Sequence, residues 1–313
     1  MGSNTVHLLV ATFEPRGLAE RLHAVEMVNL GHEVTTRGKL GDEVIARTAD
    51  TLAQMIELAR SESVEAMGLV ATEAIRNAPD SPQLIEAVRK LTGETISVLT
   101  GEAEARLSYL GATAFKVPAG QPATVADVGG GSTEVVQGKG TRPRNGTSLK
   151  LGSDQLLGLV GAADPLSGQQ RVHAAARVSM ILEAVPREEE PGLLMATGGT
   201  ASNVPVMLGM RAPAESSAVI SLHPEVGDPW TLVPRGEVER ALELAMSMSS
   251  AALAGTTGLS LKRARLMAGG LVILWGLLDR YQAAELTVTE RGLRDGVLLA
   301  LAAARDRRPA SSG

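Results

Sequence analysis

Apolar residues recur at helical spacing through residues 42–60, at Ile45, Ala49, Leu52, Ile56 and Ala59, which predicts an amphipathic helix. Short apolar runs bounded by turn residues predict strands at residues 6–11, 64–70, 95–99, 123–126 and 193–196. Ser81-Pro82 reads as a helix start, with serine as cap and proline in the first turn, and that helix is predicted to reach about Leu91. Further helices are predicted from residue 101 to 110, 169 to 185, 236 to 252, 261 to 281 and 293 to 305. The segment 116–122 combines two prolines and a glycine with no periodicity, so a domain boundary is expected there.

Composition narrows the class. A chain of 313 residues exceeds the usual single core, so two domains are expected. Hydrophobic residues at 44% and charged residues at 21% are those of a globular protein. The longest nearly uninterrupted apolar stretch, residues 266–278, is shorter than the ~20 residues of a membrane span, and no secretory leader is visible. With no cysteine, thiolate catalysis and disulfides are excluded, and a cytoplasmic location is the simplest expectation. A formal charge of −5 and an aromatic content of 2% argue against nucleic-acid binding, and they require a local cation or basic residues wherever a polyanion is to bind.

The densest chemistry lies at Asp127-Val128-Gly129-Gly130-Gly131-Ser132-Thr133-Glu134, directly after a predicted strand. Consecutive glycines let backbone N–H groups approach phosphoryl oxygens where a β-carbon would obstruct them. Ser132 and Thr133 add hydroxyl donors, and Asp127 and Glu134 are hard oxygen ligands suited to Mg²⁺. By itself the string is equally readable as a tight strand-to-strand turn. Two further small-polar loops sit beside strands: Gly2-Ser3-Asn4-Thr5, and Thr197-Gly198-Gly199-Thr200. Neither GxxxxGK[ST] nor GxGxxG occurs, and three such loops spread along one chain suggest a cleft between two similar domains.

Eight blocks carry a resemblance: GSNTVHLL, VATEAIRNA, VLTGEAEARLSYLGA, ADVGGGSTEVVQG, SLKLG, ATGGTAS, GLSLKRARLMAGGLVILWGLLDR and LTVTERGLRDGVLLA. In this order the chain resembles the exopolyphosphatase and guanosine pentaphosphate phosphohydrolase family. The resemblance implies an α/β fold of two ribonuclease-H-like domains, each a mixed five-stranded sheet flanked by helices. This is the superfold of actin, sugar kinases and heat-shock chaperone ATPases, with the active site in the interdomain cleft. The domains are expected at residues 1–120 and 121–295, with a C-terminal helix near 296–306 packing back on the first.

The resemblance also implies roles. Glu104 stands where the family's GxEEAR motif has the carboxylate that orients or deprotonates the attacking water, although a Glu in a first helical turn also simply favours the dipole. Asp127 and Glu134 would hold Mg²⁺ or another divalent cation. Gly2, Ser3, Asn4, Thr5, Gly129, Gly130, Gly131, Ser132, Thr133, Gly198, Gly199 and Thr200 would cradle phosphates. Arg76, in the ATxAxR block, would grip phosphate oxygens in a planar fork. Arg106 reads instead as an i,i+4 partner of Glu102.

The implied activity is release of terminal orthophosphate from inorganic polyphosphate. Alternatives are hydrolysis of guanosine pentaphosphate, a small-molecule kinase and a non-catalytic sensor; self-association into a homodimer stays open. The chain departs from the family in four places. Family members begin with a strand ending in Asp-Ile or Asp-Leu, here absent ahead of Gly2, and a start codon further upstream is the expected explanation. Ala103 replaces a carboxylate, Asn29 stands where Arg is frequent, and Arg265 where an acid is frequent. Longer members carry a C-terminal helical domain, so processivity on very long chains is not expected.

Overall fold

The computed structural model describes residues 1–14, 17–161, 163–186, 192–212, 221–222 and 230–306. The first half runs β1 (Thr5–Glu14), β2 (Gly17–Met27), α1 (Leu30–Arg37), α2 (Asp42–Ser61), β3 (Leu69–Ala71), α3 (Glu73–Asn77), α4 (Ser81–Thr92), β4 (Ile96–Val98) and α5 (Gly101–Thr113). The second half has β5 (Pro122–Val128), β6 (Thr133–Lys139), β7 (Arg142–Leu149), α6 (Ser153–Val160), α7 (Gly168–Leu182), β8 (Leu193–Thr197), α8 (Val204–Met207), β9 (Ser221–Leu222) and β10 (Trp230–Pro234). It closes with α9 (Arg235–Ser247), α10 (Ser250–Thr257), α11 (Leu261–Tyr281), β11 (Glu285–Thr289) and α12 (Leu293–Asp306).

Among the described residues the strands do not form two five-stranded sheets. In the second half, six strands lie in the order β10-β11-β8-β5-β6-β7, with β11, β8 and β5 parallel and the others antiparallel. Among the described strands, β1 and β2 of the first half join β9 of the second in a three-stranded sheet, β1-β2-β9, and β3-β4 form a separate parallel pair. Met1 joins the two groups: its amino group donates to the Val70 carbonyl at 2.8 Å, and its own carbonyl accepts from Thr72 N–H at 3.2 Å. The turn of Gly2 to Asn4 is thereby held beside the carboxyl end of β3.

Helix α11 spans residues 261–281 as expected, and Ser260 caps it by accepting from Arg263 N–H. Residues 236–252, expected as one helix, are instead α9 and α10. The backbone is extended at Met248 and Ser249, and the Ser249 hydroxyl starts the new helix by accepting from Ala252 N–H. Asp80, not Ser81, occupies the cap position of α4, and its carboxylate accepts from Leu40 and Gly41 N–H at 3.0 and 2.8 Å. No helix among the described residues is long and apolar enough to cross a membrane.

Helix α5 packs against elements of the second half of the chain. Its buried residues Ala105, Tyr109 and Ala112 share a core with Ala123, Val125, Val136 and Met195 of the six-stranded sheet. On its other side α5 crosses α12, with Gly111 against Gly292 and Gly296, and Gly296 against the Leu107 carbonyl. Backbone meets backbone at this crossing, so a β-carbon on either glycine overlaps main-chain atoms that cannot rotate away. Gly111→Ala is expected to lower the free energy of unfolding by about 1–3 kcal/mol through overpacking. Urea denaturation reads this as a lower midpoint at unchanged slope; an unmoved midpoint would show that the helices separate freely.

Candidate active site

Asp127 and Glu134 are direct cross-strand partners in the antiparallel pair β5/β6, so both side chains leave the sheet on one face. That face is the one covered by α5. Ser108 of α5 donates to Asp127 Oδ2 at 2.6 Å, and Gly101, the first residue of α5, packs on Ser148, whose hydroxyl donates to Glu134 Oε1 at 2.7 Å. Glu104, one turn before Ser108, enters the same space. Its Oε2 accepts from Arg76 at 3.3 Å, and Thr72 also donates to its carboxylate.

Charge is concentrated where water is scarce. Burial pushes the Glu104 carboxyl up to about 7, the Asp127 charge adds to this, and Arg76 and Thr72 pull the other way. Burial raises Glu134 well above the usual carboxylate range, with the charges of Glu104 and Asp127 adding to it. Asp127 is raised by burial, against the hydrogen bond from Ser108.

Around the carboxylates the three small-residue loops line one cavity of about 980 Å³. Gly2, Ser3, Asn4, Thr5, Gly129, Gly130, Gly131, Ser132, Gly198, Gly199 and Thr200 are all on its wall with Glu104, Asp127 and Glu134. The glycines are required by close approach. A β-carbon on Gly130 would strike the Asn4 amide, one on Gly131 would strike the Glu73 carboxylate, and one on Gly199 would strike the Arg263 guanidinium. Gly198 has φ +92°, the left-handed region, and faces Asp127 Oδ1. The Gly129 and Gly130 carbonyls accept from Ser153 and Asp154 N–H at 2.9 Å, which ties the loop to the start of α6. Thr200 is buried against Gly270 of α11, so the Gly269-Gly270 pair serves close packing.

Two expected phosphate-binding residues are not on the cavity wall. Thr133 faces the opposite side of β6, where its buried hydroxyl donates to the Leu151 carbonyl. Arg76 lies behind Glu104, donating also to the Leu99 carbonyl at 2.6 Å. Ser132 is on the wall, yet its hydroxyl reaches Glu134. Thr5 shares a 2.8 Å hydrogen bond with His7 Nε2, and Ser3 donates to Glu73 at 3.4 Å. Glu102 and Arg106 pair at 3.1 Å on the exposed face of α5, as expected.

Sequence reading missed Arg263. Its side chain lines the cavity over Gly199, burial lowers its pKa, and it has no acidic partner among the described residues. A cation two residues before the conspicuous Arg265, on a helix known only by periodicity, gave no local signal. Ser108 did: it lies four residues after Glu104, on the same helical face.

The raised Glu104 carboxyl carries a pH signature. Between the ordinary carboxylate value of 4.5 and about 7, the folded chain keeps a proton that the unfolded chain has lost, so this group's contribution favours folding below that window and fades through it as pH rises. In a metal-free buffer, the Tm difference between Glu104→Gln and the parent is expected to shift towards the variant from pH 5 to pH 8. Thermal melts at half-unit steps test this, and a difference independent of pH would contradict the raised carboxyl.

The sequence profile of the Ppx/GppA phosphatase family matches residues 19–304. Exopolyphosphatase 2 of Mycobacterium tuberculosis is 29% identical over 315 aligned positions, covering 96% of either chain. The crystal structure of the Aquifex aeolicus member of the Ppx/GppA family superposes with a TM-score of 0.83 at 25% identity, over 99% of this chain and 97% of that one. An exopolyphosphatase structure from Cytophaga hutchinsonii, 20% identical, shares the fold at a TM-score of 0.85 over 97% and 96% of the two chains. The α/β architecture expected from the eight blocks is therefore present, and the chain belongs to the Ppx/GppA phosphatase family.

Proposed function

We propose that this phosphoanhydride hydrolase releases terminal orthophosphate from inorganic polyphosphate, in the cytoplasm, with Mg²⁺ or another divalent cation. The observation that supports the reading is the grouping of Glu104, Asp127 and Glu134 on one wall with three glycine-bearing loops. Hydrolysis of a phosphoanhydride needs a positioned water, neutralised phosphoryl oxygens and little covalent chemistry.

The donor set suits a hard divalent cation. Asp127 and Glu134 are side by side, both pushed towards protonation by burial and, for Glu134, by neighbouring negative charge, which a cation would relieve. Mg²⁺ usually takes one or two carboxylates and completes its shell with water and substrate phosphates. When bound, the cation would neutralise charge on the phosphoryl oxygens.

The chain's own groups do the rest. Glu104, with a pKa near neutrality and Arg76 fixing its Oε2, orients a water for in-line attack on the terminal phosphorus and takes its proton. The Gly129–Gly131 and Gly198–Gly199 backbones approach the phosphates, and Arg263, without an acidic partner among the described residues, offers them its guanidinium. Closure of the two halves excludes bulk water. Guanosine pentaphosphate presents the same terminal phosphoanhydride and remains the second candidate substrate.

Mg²⁺-dependent phosphate release, measured in parallel on medium-chain polyphosphate and guanosine pentaphosphate, ranks the two. Tight binding of both without release would replace hydrolysis by sensing. Glu104→Ala is expected to lower kcat by about 10²-fold or more with KM little changed; near-normal turnover would remove Glu104 from the mechanism. Arg263→Gln is expected to raise KM about 10- to 100-fold, as the loss of a charge-assisted hydrogen bond would, and an unaltered KM would leave Arg263 a packing residue.

A further inference from the structure

Asp127 offers its two oxygens to different surroundings. Oδ2 accepts the 2.6 Å hydrogen bond from Ser108, whereas Oδ1 lies on the side of Gly198, where a β-carbon would stand only 2.9 Å away. The Asp side chain turns about a broad, weakly preferred terminal torsion, so an isolated carboxylate at a strand end does not choose which oxygen it presents. Ser108 can make that choice because it is itself fixed: it is 1% exposed, on the face of α5 that packs on the six-stranded sheet. The charge of Arg294 also acts on Asp127 but constrains no particular oxygen.

We infer that Ser108 is a positioning residue for the cation site, holding Asp127 so that Oδ1 alone faces the cavity. The inference rests on the proposed cation binding at Asp127 and Glu134 and extends it to a residue outside the glycine loops. Glu134 is held in a similar way: Ser148 occupies Oε1, from the strand next to it. Ser108 has a further consequence that Ser148 lacks. It follows Glu104 by one helical turn, so a single rigid face of α5 carries both the water-orienting carboxylate and the hydroxyl that aims the cation ligand. The distance between attacking water and cation is then set by one helix rather than by two loops.

The test is direct Mn²⁺ binding to the substrate-free protein, read by electron paramagnetic resonance, together with the Mg²⁺ dependence of phosphate release. Groups that orient metal ligands typically contribute 10- to 100-fold in metal affinity, so Ser108→Ala is expected to weaken Mn²⁺ binding by about tenfold or more. The Mg²⁺ concentration for half-maximal activity should rise in parallel, while kcat at saturating Mg²⁺ stays within about threefold of the parent. Ser108→Thr and Ser108→Val share a shape and differ by the hydroxyl; Thr should bind Mn²⁺ more tightly than Val, which keeps the test open if the alanine variant is unstable. Equal Mn²⁺ affinity in that pair, with Asp127→Asn losing binding, would overturn the role of Ser108 and leave the cation site standing. If Asp127→Asn itself binds Mn²⁺ like the parent, the cation site as proposed is wrong, and the role of Ser108 falls with it.

Discussion

Three carboxylates held out of water within reach of one another's charge are the constraint to which the rest of this structure answers. Glu104 and Glu134 are both raised by burial and by neighbouring acids, an arrangement that opposes folding whenever all three are ionised. The fold tolerates it through compensation from several elements: Arg76 and Thr72 on Glu104, Ser108 on Asp127, Ser132 and Ser148 on Glu134. The donors come from the α3 region, α5, β7 and the glycine loop, so the site is solved jointly by both halves of the chain.

The frame around the site is built by backbone contact more than by side-chain bulk. With two Phe, two Trp and two Tyr, the protein has few large wedges to set distances between elements. Glycine does this instead where α5 crosses α12, where Gly152 meets the Gly130 carbonyl, and where Gly269 meets the Ser153 carbonyl. Such contacts have little slack, because main-chain atoms cannot rotate aside as a side chain can. The same property that makes them intolerant of a methyl group holds the loops at fixed distance from the carboxylates.

Much of the site was legible because its signals are local. A glycine run after an apolar strand, two acids flanking it and a helix opening with Glu are all contiguous patterns, and α11 is bounded by a serine cap and an unbroken periodicity. What escaped depends on partners distant in sequence. Thr133 looked equivalent to Ser132, but strand alternation turns it to the far face. Arg76 reads as a free cation in the sequence but is held against Glu104, whereas Arg263, far along the chain from the glycine loops it faces, has no acidic partner among the described residues. The β1/β2 hairpin was only half visible, because β2 carries Glu20, Arg21 and Glu26 among its apolar residues. That α5 packs on the six-stranded sheet could not be read either, since its apolar face is the same whichever sheet it covers.

The pairing of Asp127 with Glu134 across β5 and β6 restricts how the gene can change. Side chains alternate faces along a strand, so a one-residue slip of the β5/β6 register would turn one carboxylate to the far side of the sheet. Substitutions in that interval alter the lining of the cavity; a change in length that reaches past the loop into the paired residues alters which face bears the charge. Among descendants of this chain, the number of residues from Asp127 to Glu134 should therefore be inherited more strictly than their identities.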